Sequence, residues 1–195
     1  MQEMFGSILL LVLLFPLGSF LGDTWAGWIQ HFFCVMLHDW ITGGAQVNPA
    51  VSVGTIPIGW NTPATAVVRV LGQLIGGTIA FPMMDKLLPA YVQMGGPQLA
   101  EGVDVTEGMI WETCLTFCLL MWVFVCATRV GLPAQRPLIA AGIRGLIFNG
   151  GKTGPAMNPM IGWSWAVFVN PELPGSDHFL VYWLAPCLGK WLMAH

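Results

Sequence analysis

The chain has 195 residues, of which 55% are apolar and 9% charged, with a net charge of −3 and a mean hydropathy of +0.69. Soluble domains carry about a quarter charged residues, so this composition excludes a protein whose only solvent is water. There is no basic run to hold a nucleic acid, and the chain reads as one integral membrane bundle.

A bilayer span needs about 20 mainly apolar residues. The first apolar run covers residues 5–22 and contains Pro16. Gln2 and Glu3 precede it in place of Lys or Arg, and no Ala-x-Ala site follows, so a retained span is expected and not a signal peptide. The second run, 25–42, carries His31, His38 and Asp39. It leads into Gly43-Gly44-Ala45-Gln46-Val47-Asn48-Pro49-Ala50-Val51. Asn48 suits an N-cap and Pro49 the first helical position, where a missing N–H has no partner to lose. The apolar segment that follows, to about residue 58, is too short to cross and is expected to be a re-entrant half-helix.

The third span is expected over 64–84, followed by a polar, mainly acidic loop over 85–107. The fourth covers 109–127, and a short basic loop with Arg129 and Arg136 joins it to a short fifth span at 137–149, which contains Arg144. Then comes a second Gly-containing loop, Thr153-Gly154-Pro155-Ala156-Met157-Asn158-Pro159-Met160, with its half-helix to about residue 169. After a polar turn at 170–177, a sixth span at 178–194 runs to the last residues, so no tail is expected. Loop charges place the 129–136 loop and both termini on the cytosolic side.

The chain repeats itself. Glu3-x-x-x-Ser7 opens the first span and Glu112-x-x-x-Thr116 the fourth; Asn48 follows Glu3 by 45 residues, Asn158 follows Glu112 by 46. Each half is span, span, Asn-Pro half-helix, span. Three spans per half force the second half to be inverted, and inverted repeats with broken helices meeting at mid-membrane are a transport architecture.

These residues resemble the aquaporin (major intrinsic protein) family, in a deviating form like the unorthodox super-aquaporin branch. The likeness rests on the two Asn-Pro loops, the Glu112 segment, Arg69 with Gln73-x-x-Gly76, and Tyr182-Trp183-x-x-Pro186-x-x-Gly189. It implies an all-α membrane protein: six transmembrane helices plus two re-entrant half-helices in an inverted three-plus-three repeat, an aquaporin-like hourglass. One transmembrane domain is expected over 1–195, with repeat one about 1–84, a loop about 85–107 and repeat two about 108–195. The pore motifs would be Asn48, Pro49 and Ala50 with Asn158, Pro159 and Met160, the last departing from the usual Ala. Glu3 and Glu112 would each brace a half-helix loop. Transferred by position, the narrowest ring would be Trp28, Leu146, Pro155 and Ile161, with Leu146 in place of the His of water-selective members and Ile161 in place of the usual Arg.

The function expected is passive passage of water, with glycerol, hydrogen peroxide or ammonia as further cargo. Paired half-helix N-termini would keep out protons and ions. The partners are then the lipid bilayer, the water or small neutral solute, and sister copies in a homotetramer. The rival reading is a non-conducting subunit of a larger membrane assembly. No nucleophile–base or metal-ligand constellation points to an enzyme, and no cofactor is expected. His31 and His38 read as hydrogen-bonded or interface residues, and the five cysteines as small apolar ones. The pairs Gly18-x-x-x-Gly22 and Gly72-x-x-x-Gly76 read as helix-packing signatures.

Overall fold

A computed structural model describes residues 1–21, 24–89, 95–131, 133–170 and 174–193. Helix α1 runs Gln2–Leu21, α2 Trp25–Thr42, α3 Pro49–Gly54 and α4 Pro63–Leu87. The second half repeats the order: α5 Val105–Arg129, α6 Gln135–Phe148, α7 Pro159–Val169, then α8 Ser176–Phe179, a π-helical turn Leu180–Leu184 and α9 Ala185–Met193 as one continuous last span. The first half-helix is shorter than expected, ending at Gly54. The expected Gly18/Gly22 pair and parts of the 85–107 and 170–177 loops lie outside the residues or side chains described.

Local chemistry starts the helices where the sequence places them. Thr24, Asn48, Thr62, Asp104 and Asn158 each accept a hydrogen bond from a backbone N–H of the helix that follows. Proline fills the first turn of α3, α4 and α7, where its missing N–H goes unmissed.

Among the described residues, α4 and α5, at 25 residues each, are by themselves long and apolar enough to cross a membrane. Helix α2 is less apolar for a specific reason: Gln30, His31, His38 and Asp39 all face an internal cavity. Helix α6, at 14 residues, is about 21 Å long and shorter than a hydrocarbon core of about 30 Å. On α4, Val67, Leu71, Ile75 and Ile79 are exposed at every fourth position, an apolar stripe suited to acyl chains.

The packing obeys a pseudo-two-fold. Helix α1 packs on α2 and α4, and α5 on α6 and α9; α4 also packs on α7, and α9 on α3; α2 and α6 meet each other. Two glycines make the long contacts. A Cβ on Gly76 would collide with the backbone carbonyl of Met4, and one on Gly189 with that of Thr113. Met4 and Thr113 each follow a bracing glutamate, so the two contacts are equivalent. Gly72, whose Cβ would lie 3.3 Å from Glu3 Cβ, shows that the Gly72/Gly76 pair serves packing within the monomer.

Candidate functional site: a central cavity with paired Asn-Pro loops

The two loops meet in the middle of the bundle. Asn48 Nδ2 donates to the carbonyl of Met157 at 2.8 Å, and Asn158 Nδ2 donates to the carbonyl of Val47 at 2.8 Å. Each Oδ1 caps its own half-helix, accepting from Ala50 N at 2.9 Å and Met160 N at 3.0 Å. Both asparagines line a cavity of about 950 Å³ while only 6% and 5% exposed. A carboxamide NH2 has two protons. One from each is spent tying the loops together.

The residue before each asparagine carries the strain. Val47 has φ 47° and Met157 φ 45°, a left-handed conformation that a β-branched valine adopts rarely. Such residues cost on the order of 1–3 kcal/mol and persist only where the surroundings over-determine them. Here both ends of each residue are held. Its carbonyl accepts from the opposite asparagine. Its N–H donates to a buried carboxylate, Val47 N to Glu3 Oε2 and Met157 N to Glu112 Oε2, each at 2.8 Å.

The expected braces therefore take matching positions. Glu3 also accepts from Gln46 N at 3.0 Å and Gln73 Nε2 at 2.8 Å, and it is ion-paired with Arg69. Glu112, fully buried, also accepts from Ala156 N at 3.1 Å and the Thr153 hydroxyl at 2.6 Å. Ser7 and Thr116, one turn further along, are both fully buried.

The four expected ring residues separate. Pro155 and Ile161 line the cavity. Leu146 instead packs with Leu115, Leu119 and Met157 on the α5 side. The wall of α6 is made by Ile139, Ile143, Arg144 and Ile147. The rotation of α6 decides this: the Trp122 indole occupies the hollow of Gly142 and donates to the Leu138 carbonyl at 2.8 Å, turning the 138/142/146 face toward α5. Trp28 is a support for Arg144, whose guanidinium lies 5.2 Å from its ring centroid. Arg144 is 7% exposed and on the cavity wall, a position that transfer by alignment to Leu146 did not identify. The roughly 200° between positions 144 and 146 on a helix was the available signal.

His31 and His38 are both buried on the cavity side of α2. His38 Nε2 donates to the Gly6 carbonyl at 3.1 Å. Arg136 and Asp39, both on the cavity wall, pair at 2.6 Å. Lys152 pairs with Glu107 and lies 4.8 Å from the Trp111 ring centroid. Cys114 and Cys118 are exposed on α5, Cys126 is buried, and Cys34 and Cys187 are half-buried; all five are free. Among the described residues no group of His, Cys, Asp or Glu could hold a metal.

Met160, the departure in the second motif, is fully buried and packs with Leu11, Ala80 and Phe81, away from the cavity.

Known proteins give the same picture. A family model described as "Major intrinsic protein" matches residues 21–195. "Aquaporin SIP1-1" of Arabidopsis thaliana is 33% identical over 183 residues, covering 88% of this chain and 75% of that protein. "Aquaporin SIP1-1" of Oryza sativa subsp. japonica is 28% identical, covering 78% and 65%. The fold matches the structure of the aquaglyceroporin from Plasmodium falciparum with a TM-score of 0.77 at 19% identity, over 99% of this chain and 93% of that one. With two opposed Asn-Pro loops, a shared cavity and these relatives, the chain belongs to the major intrinsic protein family of membrane channels and is similar to its SIP-type aquaporins.

Proposed function

We propose that the protein is a passive channel for water and small neutral solutes such as glycerol, and that it excludes protons and ions at the paired asparagines. The observation that carries this reading is the reciprocal bonding of Asn48 and Asn158 on the cavity wall. The second proton of each NH2 can donate to a passing oxygen. The N-terminal ends of α3 and α7 bear partial positive charge, so a cation or hydronium meets repulsion where water meets a donor.

Part of the wall holds its cargo weakly: Ile139, Ile143, Ile147 and Ile161 offer no hydrogen bonds, while Gln30, His31 and His38 of α2 supply polar contacts. Arg144, over the Trp28 ring, adds a guanidinium to the isoleucines of this wall and is the residue we assign to solute discrimination. Sister copies packed as a homotetramer, each with its own pore, complete the reading.

Purified protein in liposomes tests it by osmotic shrinkage and glycerol uptake, with Asn48→Asp and Asn158→Asp alongside. Wild-type vesicles are expected to shrink well ahead of empty ones, and the aspartates to slow water and admit cations. Wild-type rates equal to those of empty vesicles would remove the channel reading and leave a non-conducting structural subunit.

A further inference from the structure

The last span is irregular at one place, and that place touches the second Asn-Pro loop. Helices α8 and α9 are joined through the π-helical turn Leu180–Leu184, and Tyr182 sits at its centre. π-Turns inside α-helices are rare and concentrate at functional sites. Tyr182 is buried, and its hydroxyl donates to the Thr153 carbonyl at 2.8 Å. Its Cβ lies 2.8 Å from where a Cβ on Gly162 of α7 would be, so it presses on the half-helix as well as the loop.

From Thr153 a continuous path leads to the pore. The Thr153 hydroxyl donates to Glu112 at 2.6 Å, Glu112 accepts from Met157 N at 2.8 Å, and the Met157 carbonyl accepts from Asn48 at 2.8 Å. Every group on this path is buried. Met157 is one of the two strained residues, so its conformation depends on these partners.

We propose that Tyr182 is a positioning residue for the pore: through Thr153 and Glu112 it sets the orientation of the Met157 carbonyl and so aims the Asn48 carboxamide. The π-turn is what brings its hydroxyl to the loop. In the first half the corresponding hold on the brace comes from Arg69 and Gln73 of α4, which bind Glu3 directly. The second brace is held indirectly, through the loop's own threonine. The inference rests on the channel reading above.

The test is Tyr182→Phe, which removes one oxygen, measured in liposomes as flux per folded protein and as the glycerol-to-water flux ratio, with thermal unfolding in parallel. Water flux is expected to fall threefold to tenfold and the ratio to shift at least twofold. Thr153→Val cuts the same path and is expected to reproduce the loss, and the double variant to lose no more than either single, as residues acting in series do. Thr153→Val also carries the test if Tyr182→Phe fails to insert. A lowered unfolding temperature with unchanged flux and ratio overturns the proposal and leaves Tyr182 a packing residue. Additive losses in the double variant overturn it as well. A conducting wild type with unaffected variants sinks this inference alone, whereas a wild type no faster than empty vesicles sinks the channel reading and this inference together.

Discussion

The two half-helices sit in seats of opposite construction. In the second half the bulk is on the half-helix: Met160 and Ser164 fill a hollow that exists because position 77 on α4 is glycine, where a Cβ would strike both. In the first half the bulk is on the span: at Gly54 of α3, a Cβ would meet Lys190 Cγ of α9 at 3.1 Å. Position 77 follows Gly76 and position 190 follows Gly189, the two equivalent contact glycines, so the large and small partners have changed places across the pseudo-two-fold. The lesson is that the symmetry binds the hydrogen-bonding backbone and leaves volume free. The strained Val47 and Met157 keep nearly the same φ, 47° and 45°, while the side chains beneath them differ. It also explains why Asn-Pro-Met is tolerated: Met160 points into protein, against Gly77, and leaves the cavity wall unaltered.

Filling the second seat should have the largest effect. Gly77→Leu overpacks against Met160 and Ser164 and should destabilise by about 3 kcal/mol. Adding Met160→Ala to Gly77→Ala should return part of the smaller loss caused by Gly77→Ala alone. Thermal unfolding in detergent reads both, and a strictly additive double variant would refute the exchange of volumes.

The braces differ next. Glu3→Gln strands Arg69, which is partly exposed, and should cost about 2 kcal/mol. Glu112→Gln breaks no ion pair, but its one oxygen can serve only one side of the loop and its NH2 then faces an N–H donor such as that of Met157, so it should cost about 1 kcal/mol. Equal losses in the same unfolding assay would mean that the ion pair adds nothing to the first brace.

In the first seat the lysine stem matters more than its charge. Lys190→Met should therefore change stability by less than about 1 kcal/mol, and Lys190→Ala should cost more. If Met proves as damaging as Ala, the ammonium group is what matters there.

On the cavity wall, Val51 and Ile161 hold matching places after the two asparagines, three residues on in each case. Ile161→Arg should leave stability nearly untouched and reduce glycerol flux several-fold more than water flux. Equal reductions would show that Ile161 lies where the passage is wide.

Much of this was legible in the residues. Asn-Pro marks a helix start through local chemistry, an N-cap followed by a proline without a donor, and two such starts at nearly equal distances from Glu3 and Glu112 give the inverted repeat. That the glutamates need buried partners follows from their charge, whereas their role as loop braces came from the family likeness; the loops supply backbone N–H donors to both. The ring was not legible in the same way. Leu146 was expected on the wall by counting back from Asn158, but counting fixes distance along a helix and not its rotation. Trp122 against Gly142 sets that rotation and turns Ile143, Arg144 and Ile147 inward.

The order of spans, the pair of Asn-Pro starts and the family likeness follow from the sequence alone, because apolar length, capping and spacing are properties of neighbours along the chain. Which side chains face the cavity, that Arg144 rests on Trp28, and that Met160 is matched by a glycine on another helix are decided only in three dimensions. They depend on how far each helix turns about its own axis, and that is fixed by contacts between residues far apart in sequence.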